Sequence, residues 1–236
     1  MKPNSGLTFI ELVFAIAIMG VMMGAFYTLV INLNKNYNDQ VAIAETQQSV
    51  RVALSLFSNE VQQAGLDPAG NAFIGPFSKK RKAPHFDSTN NCQEIARSAS
   101  PIMEASATVF HFMGDKNGNN CFNEACKLDN NEPDRGEDIR YEWVGSSGKD
   151  ICERKENATD TLYRDTGGGL QEVASGIKAF TLTYYDENGK LPDGILNAGE
   201  RARIRKIKLT LQGGVGEGAH EKKRELTSEI VLKNRG

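Results

Sequence analysis

The feature that most constrains this chain is the run from Leu7 to Ile31, LTFIELVFAIAIMGVMMGAFYTLVI, in which only Thr8, Glu11, Tyr27 and Thr28 carry polar atoms beyond sulfur. As a helix these residues extend roughly 37 Å, at about 1.5 Å each. The hydrocarbon core of a bilayer is about 30 Å thick, so the run is long enough to cross it. A helix that is apolar on every face finds little use on a globular domain of this size, so the segment predicts a membrane helix. A cleaved secretory signal fits less well. Its apolar region is usually shorter and ends at a small-residue cleavage site, whereas here the helical pattern continues and the small residue placed like a processing point, Gly6, precedes the run.

Glu11 then needs an explanation, because a carboxylate inside a membrane segment costs on the order of 3 kcal/mol and usually marks a partner or a pathway. A position near the interface would let the side chain snorkel to the headgroups. A cationic partner is the sharper reading. Cleavage after Gly6 would create an amino terminus at Leu7, one helical turn from Glu11, and permit an ammonium–carboxylate pair within one chain or between neighbours. A carboxylate in the first turn is also favoured by the helix dipole. Further along, Gly20 and Gly24 have the small-xxx-small spacing of close helix packing in lipid.

A short basic leader ending in glycine, followed by LTFIEL and an apolar helix, resembles the class III signal of type IV pilins and type II secretion pseudopilins. The resemblance implies a leader of residues 1–6, cleaved between Gly6 and Leu7 by a prepilin peptidase, and N-methylation of Leu7. It implies that Glu11 pairs with a neighbour's terminus during assembly. It also implies a single-pass inner-membrane protein with its domain in the periplasm, later extracted into a pilus at the cell surface. The implied partners are other pilin subunits, met through the N-terminal helix, and the inner-membrane assembly platform.

Beyond the membrane half (7–31) the helix pattern persists through 32–65. Val50, Ala53, Leu54, Phe57, Val61 and Ala64 fall on one face of an amphipathic helix, and Gly65 with Pro68 supplies the stop. Residues 66–101 are rich in Pro, Ser and Asn and predict loops with one short helix at most. Strand-like runs follow at 108–112, 138–144, 161–165, 178–186, 204–211 and 225–232, with Ile139, Tyr141 and Trp143 sharing a face, as do Phe180, Leu182 and Tyr184, and Ile207, Leu209 and Leu211. Such alternation gives each strand one wet face. The expectation is an α+β, pilin-like fold: a long N-terminal helix covering an antiparallel sheet formed within 66–236, with Gly213, Gly214, Gly216 and Gly218 in a hairpin loop. QQSVRVALSLFSNEVQQAG, then GEDIRYEW and YYDENG…RIRKIKLTL, is similar to minor pilins of the PilW type and, in plan, to pseudopilin J.

The 236 residues carry a net charge of −2, which gives no basic excess to suggest nucleic acid, and KKRK at 79–82 reads as a solvated loop. Cys92, Cys121, Cys126 and Cys152 all lie beyond the membrane helix. An even count in an exported domain favours two disulfides, in any of three pairings. Zinc is the rival, but Cys121 and Cys126 alone approach its ligand spacing. In 114–138, Asp115, Asn117 and Asn119 alternate like the first ligands of a calcium loop, and Glu124 can add a carboxylate. The pattern then fails, with Asn120 where the loop wants Gly and Cys126 where it wants Glu. His85, His111 and His220 belong to no metal or triad motif, and no nucleophile elbow or phosphate loop is present, so no enzymatic activity is expected. The sequence thus points to a minor pilin that primes, joins or tips a type IV pilus. A minor pseudopilin of a type II secretion system is the alternative within the same architecture. A membrane-anchored periplasmic binding domain is the alternative outside it.

Overall fold

In the computed structural model the described residues are 8–68, 81–86, 92–95, 101–116, 137–145, 159–166, 170–215 and 222–234. Helix α1 spans Phe9–Val61, 53 residues. No proline or glycine interrupts Ala25 to Ala64, so nothing local breaks the hydrogen-bond ladder over its second half. The chain divides into two compact units, Met1–Ala44 and Glu45–Gly236.

In the second unit, α1 contributes Val50, Ala53, Phe57 and Val61 to the core, followed by Ala64, all at helical spacing and all buried. Phe57 is the centre of that stripe. Its ring meets Tyr141 edge-on at 4.9 Å and Phe180 at 6.0 Å, and lies tilted to Phe110 at 6.2 Å. Edge-to-face aromatic contacts of this kind add about 0.5–1.5 kcal/mol to the area they bury. The helix then ends in a turn where Gly65 adopts φ +76°, and its N–H donates to the Met113 carbonyl. A Cβ at that position would come within 3.1 Å of the Asn234 carbonyl oxygen and 3.3 Å of Pro101, so both the dihedral and the space call for glycine.

Among the described residues the strands form three antiparallel sheets where the sequence predicts one. A two-stranded sheet pairs β1 (Arg81–Phe86) with β2 (Cys92–Ile95). These strands lie in the segment expected to be loops. A five-stranded meander runs β3 (Ile102–Ala105), β4 (Val109–Met113), β5 (Asp138–Val144), β6 (Thr161–Asp165) and β7 (Leu170–Ala174), each strand beside the next. Strands β8 (Ile177–Asp186), β9 (Gly189–Lys190), β10 (Lys206–Val215) and β11 (Lys222–Val231) form a four-stranded sheet in the order β11-β10-β8-β9. Phe57 therefore touches both larger sheets, and one helical side chain joins their cores.

The face assignments of β8 and β10 follow the alternation read from the sequence: Phe180, Leu182, Tyr184, Ile207, Leu209 and Leu211 are all buried. Strand β5 departs from it and has no wet face: Ile139 and Tyr141 are buried as expected, but so are Asp138, Arg140 and Glu142 on the other face, while Trp143 is only part-buried. Gly213 and Gly214 differ from expectation, because they continue β10 instead of forming its hairpin loop. The reason is steric. A Cβ on Gly213 would sit 2.7 Å from Val50 Cγ2 and 3.0 Å from Thr46 Cγ2, so the missing side chain lets α1 rest on the strand backbone. A short helix, α2 (Ala198–Arg203), is closed by a capping box: Glu200 N–H donates to Asn197 Oδ1, and Asn197 N–H donates to Glu200 Oε2.

Candidate functional site

The first turn of α1 is built around Glu11. Thr8 immediately precedes the helix, and its N–H donates to Glu11 Oε2 at 2.8 Å, as does its hydroxyl, also at 2.8 Å. In return Glu11 N–H points at Thr8 Oγ1 at 3.4 Å. This is a reciprocal cap, in which a carboxylate three residues into the helix satisfies donors that have no intrahelical partner. The Thr-x-x-Glu spacing is a cap signature in its own right, a second role for Glu11 that the charge-pair argument from sequence overlooks.

Past this turn, the lateral surface of the first unit is apolar and open. Phe9 is 83 % exposed and Val21 75 %, and Met19, Met22, Met23, Phe26 and Leu29 are exposed with them. Among the described residues α1 is the one helix long and apolar enough to cross a membrane, and none of its most apolar window is buried. A contiguous apolar surface of this extent is unlike the scattered patches of a soluble monomer and calls for lipid or other helices around it. Gly20 and Gly24 have nothing within 4 Å of where a Cβ would stand, so they are bare notches on that surface. The Thr28 hydroxyl donates back to the Gly24 carbonyl at 2.6 Å, which removes the one polar hydrogen it would otherwise expose.

The second unit holds two polar clusters of its own. On the sheet face that meets α1, Glu60 accepts from Arg164 Nε at 2.8 Å and from a terminal Arg164 nitrogen at 2.5 Å. The Tyr141 hydroxyl donates to the same carboxylate at 2.5 Å. Burial and then the Glu60 charge push the Tyr141 phenol well above the ordinary tyrosine range. Burial works to lower the Arg164 guanidinium, but Glu60 outweighs it and holds Arg164 above its usual value. The opposite face of the five-stranded sheet carries Glu104, His111 and Arg140 at directly paired positions on β3, β4 and β5. All three are buried, together with Asp138 and Glu142. Arg140 reaches both Glu104 and Glu142, and these carboxylates raise its pKa against a desolvation that would lower it. His111 Nε2 lies 2.5 Å from Asp138 Oδ1. Buried charges paired in this way are costly to break, because the survivor is left without a partner in low dielectric.

The residues singled out from the sequence are distributed unevenly. Glu11, Gly20 and Gly24 lie together on the first unit, as above. Gly6 and Leu7 lie outside the described residues. Cys92 belongs to β2, with its side chain outside the description, and Cys121, Cys126 and Cys152 lie outside it altogether, so the disulfide reading falls there too. Asp115 is fully buried, and its N–H donates to the Leu66 carbonyl; Asn117, Asn119 and Glu124 fall outside the described residues. Among the described residues no group of three or more His, Cys, Asp or Glu is placed to hold a metal.

Residues 1–27 match the family model described as the prokaryotic N-terminal methylation motif. No curated protein matches the chain. The matched motif marks the N-terminal segment as that of a type IV pilin-like prepilin, which implies processing by a prepilin peptidase and assembly with other pilins. With its long N-terminal helix and antiparallel sheets, the α+β fold is pilin-like.

Proposed function

We propose that this chain is a minor pilin, held in the inner membrane by α1 and then drawn into a type IV pilus, which it primes, joins or tips. The observation that carries the reading is the open apolar surface of α1 headed by Glu11, beneath a methylation motif. In lipid that surface is solvated by acyl chains; in a filament it is covered by the same helix of neighbouring subunits. Glu11 is the docking charge. Before cleavage it is occupied by Thr8. Cleavage after Gly6 supplies ammonium groups, on this chain and its neighbours, that compete for the same carboxylate. Gly20 and Gly24 are the notches where a neighbouring helix approaches. Thr28, whose hydroxyl returns to the backbone of an unbroken helix, stands where bulk pilins often carry a helix-breaking proline, and this favours a low-copy subunit. A pseudopilus of a secretion system is built from the same parts, so a pseudopilin is the second reading.

The test is the mass of the mature N-terminus. Protein extracted from native membranes with an active processing enzyme should begin at methylated Leu7 and be recovered in sheared filaments. An intact Met1 start under those conditions overturns the filament reading and leaves a tethered domain.

A further inference from the structure

The turn between β8 and β9 joins Asp186 to Gly189 through Glu187 and Asn188, and Glu187, Asn188 and Gly189 are all exposed. Asn188 N–H donates to Asp186 Oδ1 at 2.8 Å, while Arg203 and Arg205 hold the carboxylates of Asp186 and Glu187. The Asn188 carboxamide makes no hydrogen bond among the described residues. Gly189 has φ +133° and nothing within 4 Å of where a Cβ would stand. A loose carboxamide therefore stands beside the residue type that leaves the next main-chain nitrogen uncovered. Strand β9 is two residues long, and so short a strand end opens at little free-energy cost. Opening lets the main chain rotate until the Gly189 nitrogen meets Asn188 Cγ.

The other described asparagines lack this combination. Those within α1 have their main chain fixed by the helical ladder. Asn197 is engaged in the capping box of α2 and precedes Ala198, whose Cβ shields the next nitrogen. Asn234 donates from its amide to the Gln62 carbonyl. Asp193–Gly194 is open in the same way, with Gly194 at φ +109° and no neighbour around it. But Asp193 is a carboxylate held by Lys190 Nζ at 2.8 Å, and it has no ammonia to release.

We infer that Asn188 is a site of spontaneous deamidation, with water as the co-reactant. The Gly189 nitrogen gives up its proton and bonds to Asn188 Cγ, the Cγ–Nδ2 bond breaks, and ammonia leaves a cyclic succinimide. Water then adds to one of the two ring carbonyls. Opening at the side-chain carbonyl yields aspartate; opening at the main-chain carbonyl yields isoaspartate, with the chain routed through Cβ. No electrons are exchanged, and the sum is an amide and water giving a carboxylate and an ammonium ion. Either product adds a negative charge beside Asp186 and Glu187. Isoaspartate also adds a main-chain atom to a turn whose register sets Tyr185 opposite Lys190, so the hairpin changes with the age of the molecule. The site is independent of the filament reading, because it lies in the second unit and uses none of α1.

The test incubates the full chain in detergent micelles, in warm, mildly alkaline buffer made with heavy-oxygen water, and then digests it in ordinary water. Trypsin cuts after Lys178 and Lys190 and releases residues 179–190. That peptide should lose its parent mass with time and gain the mass of an acid in place of an amide, with one heavy oxygen. Part of the product should accept a methyl group from S-adenosylmethionine through L-isoaspartyl O-methyltransferase, which reads isoaspartate and not aspartate. N188Q, whose longer side chain disfavours the ring, should keep its parent mass. A 179–190 peptide that stays at parent mass in the folded chain overturns the proposal. So does conversion that appears only in denaturant, because the hairpin then protects the amide. Product without heavy oxygen arises in the digest, and product that takes no methyl group bypasses the succinimide; either result overturns the proposal, as does equal conversion of N188Q.

Discussion

Glu60 and Arg164, 104 residues apart in the chain, meet through two parallel hydrogen bonds that tie α1 to the sixth strand, and Tyr141 joins them on the same carboxylate. The contact is mostly shielded, with the Glu60 and Arg164 side chains 12 % and 19 % exposed. It therefore differs from a surface ion pair, which is worth little.

Replacing Glu60 with alanine should cost about 3 kcal/mol, since it strands a guanidinium and a phenol in a partly dehydrated site. The double variant with Arg164→Ala should recover part of that loss, with a coupling energy of about 1–3 kcal/mol. Urea unfolding of the single and double variants measures both.

Alkaline pH should weaken the fold through its tyrosines. Burial, first of all, holds both Tyr141 and Tyr184 above the ordinary range, and Tyr184 additionally faces the Glu104 charge. A phenol with a raised folded pKa keeps its proton longer in the native state than in the unfolded one. The stabilisation is therefore complete below about pH 10, the unfolded value, and is lost as pH rises towards the folded values. Thermal melts across that window should show a steady fall in Tm, and Tyr141→Phe should make the fall shallower.

Gly213→Ala should destabilise by about 1–3 kcal/mol, because the new methyl meets Val50 with no room to yield. Val50→Ala in the same chain should return much of the loss. A Gly213→Ala protein as stable as the parent would show that the helix can ride further from β10.

Glu11→Ala should leave the outer domain folded and the chain membrane-bound, yet absent from filaments. Thr8→Val, which removes the hydroxyl partner but keeps the carboxylate, should be incorporated at a reduced level. Immunodetection in sheared and membrane fractions separates these outcomes, and normal incorporation of Glu11→Ala would remove the docking role.

Much of this architecture was legible locally. The stripe through Val50, Phe57 and Val61 and the alternation in β8 and β10 are short-range patterns, and burial follows them, whereas β5 is buried on both faces because its charged face is covered as well. Division of the strands into separate sheets was not legible, because alternation says which side of a strand is dry and nothing about its neighbour. Glu60 lies off the apolar stripe of α1, and its partner Arg164 is 104 residues away, too far along the chain for spacing to suggest. The cap at Thr8 is encoded in the local Thr-x-x-Glu spacing, which the charge-pair argument for Glu11 does not use. Gly213 and Gly214 were misplaced because glycine-rich stretches usually turn, whereas here bare backbone was needed under a helix.

That bare backbone has an evolutionary corollary. Where a helix rests directly on a strand, the residue beneath it and the residues above it form a single fitted joint. Descendants of this chain that carry a larger residue at 213 will have shed bulk at Val50 or Thr46 in the same lineage. The three positions should vary together or stay fixed together, while the neighbouring wet-face threonines drift on their own.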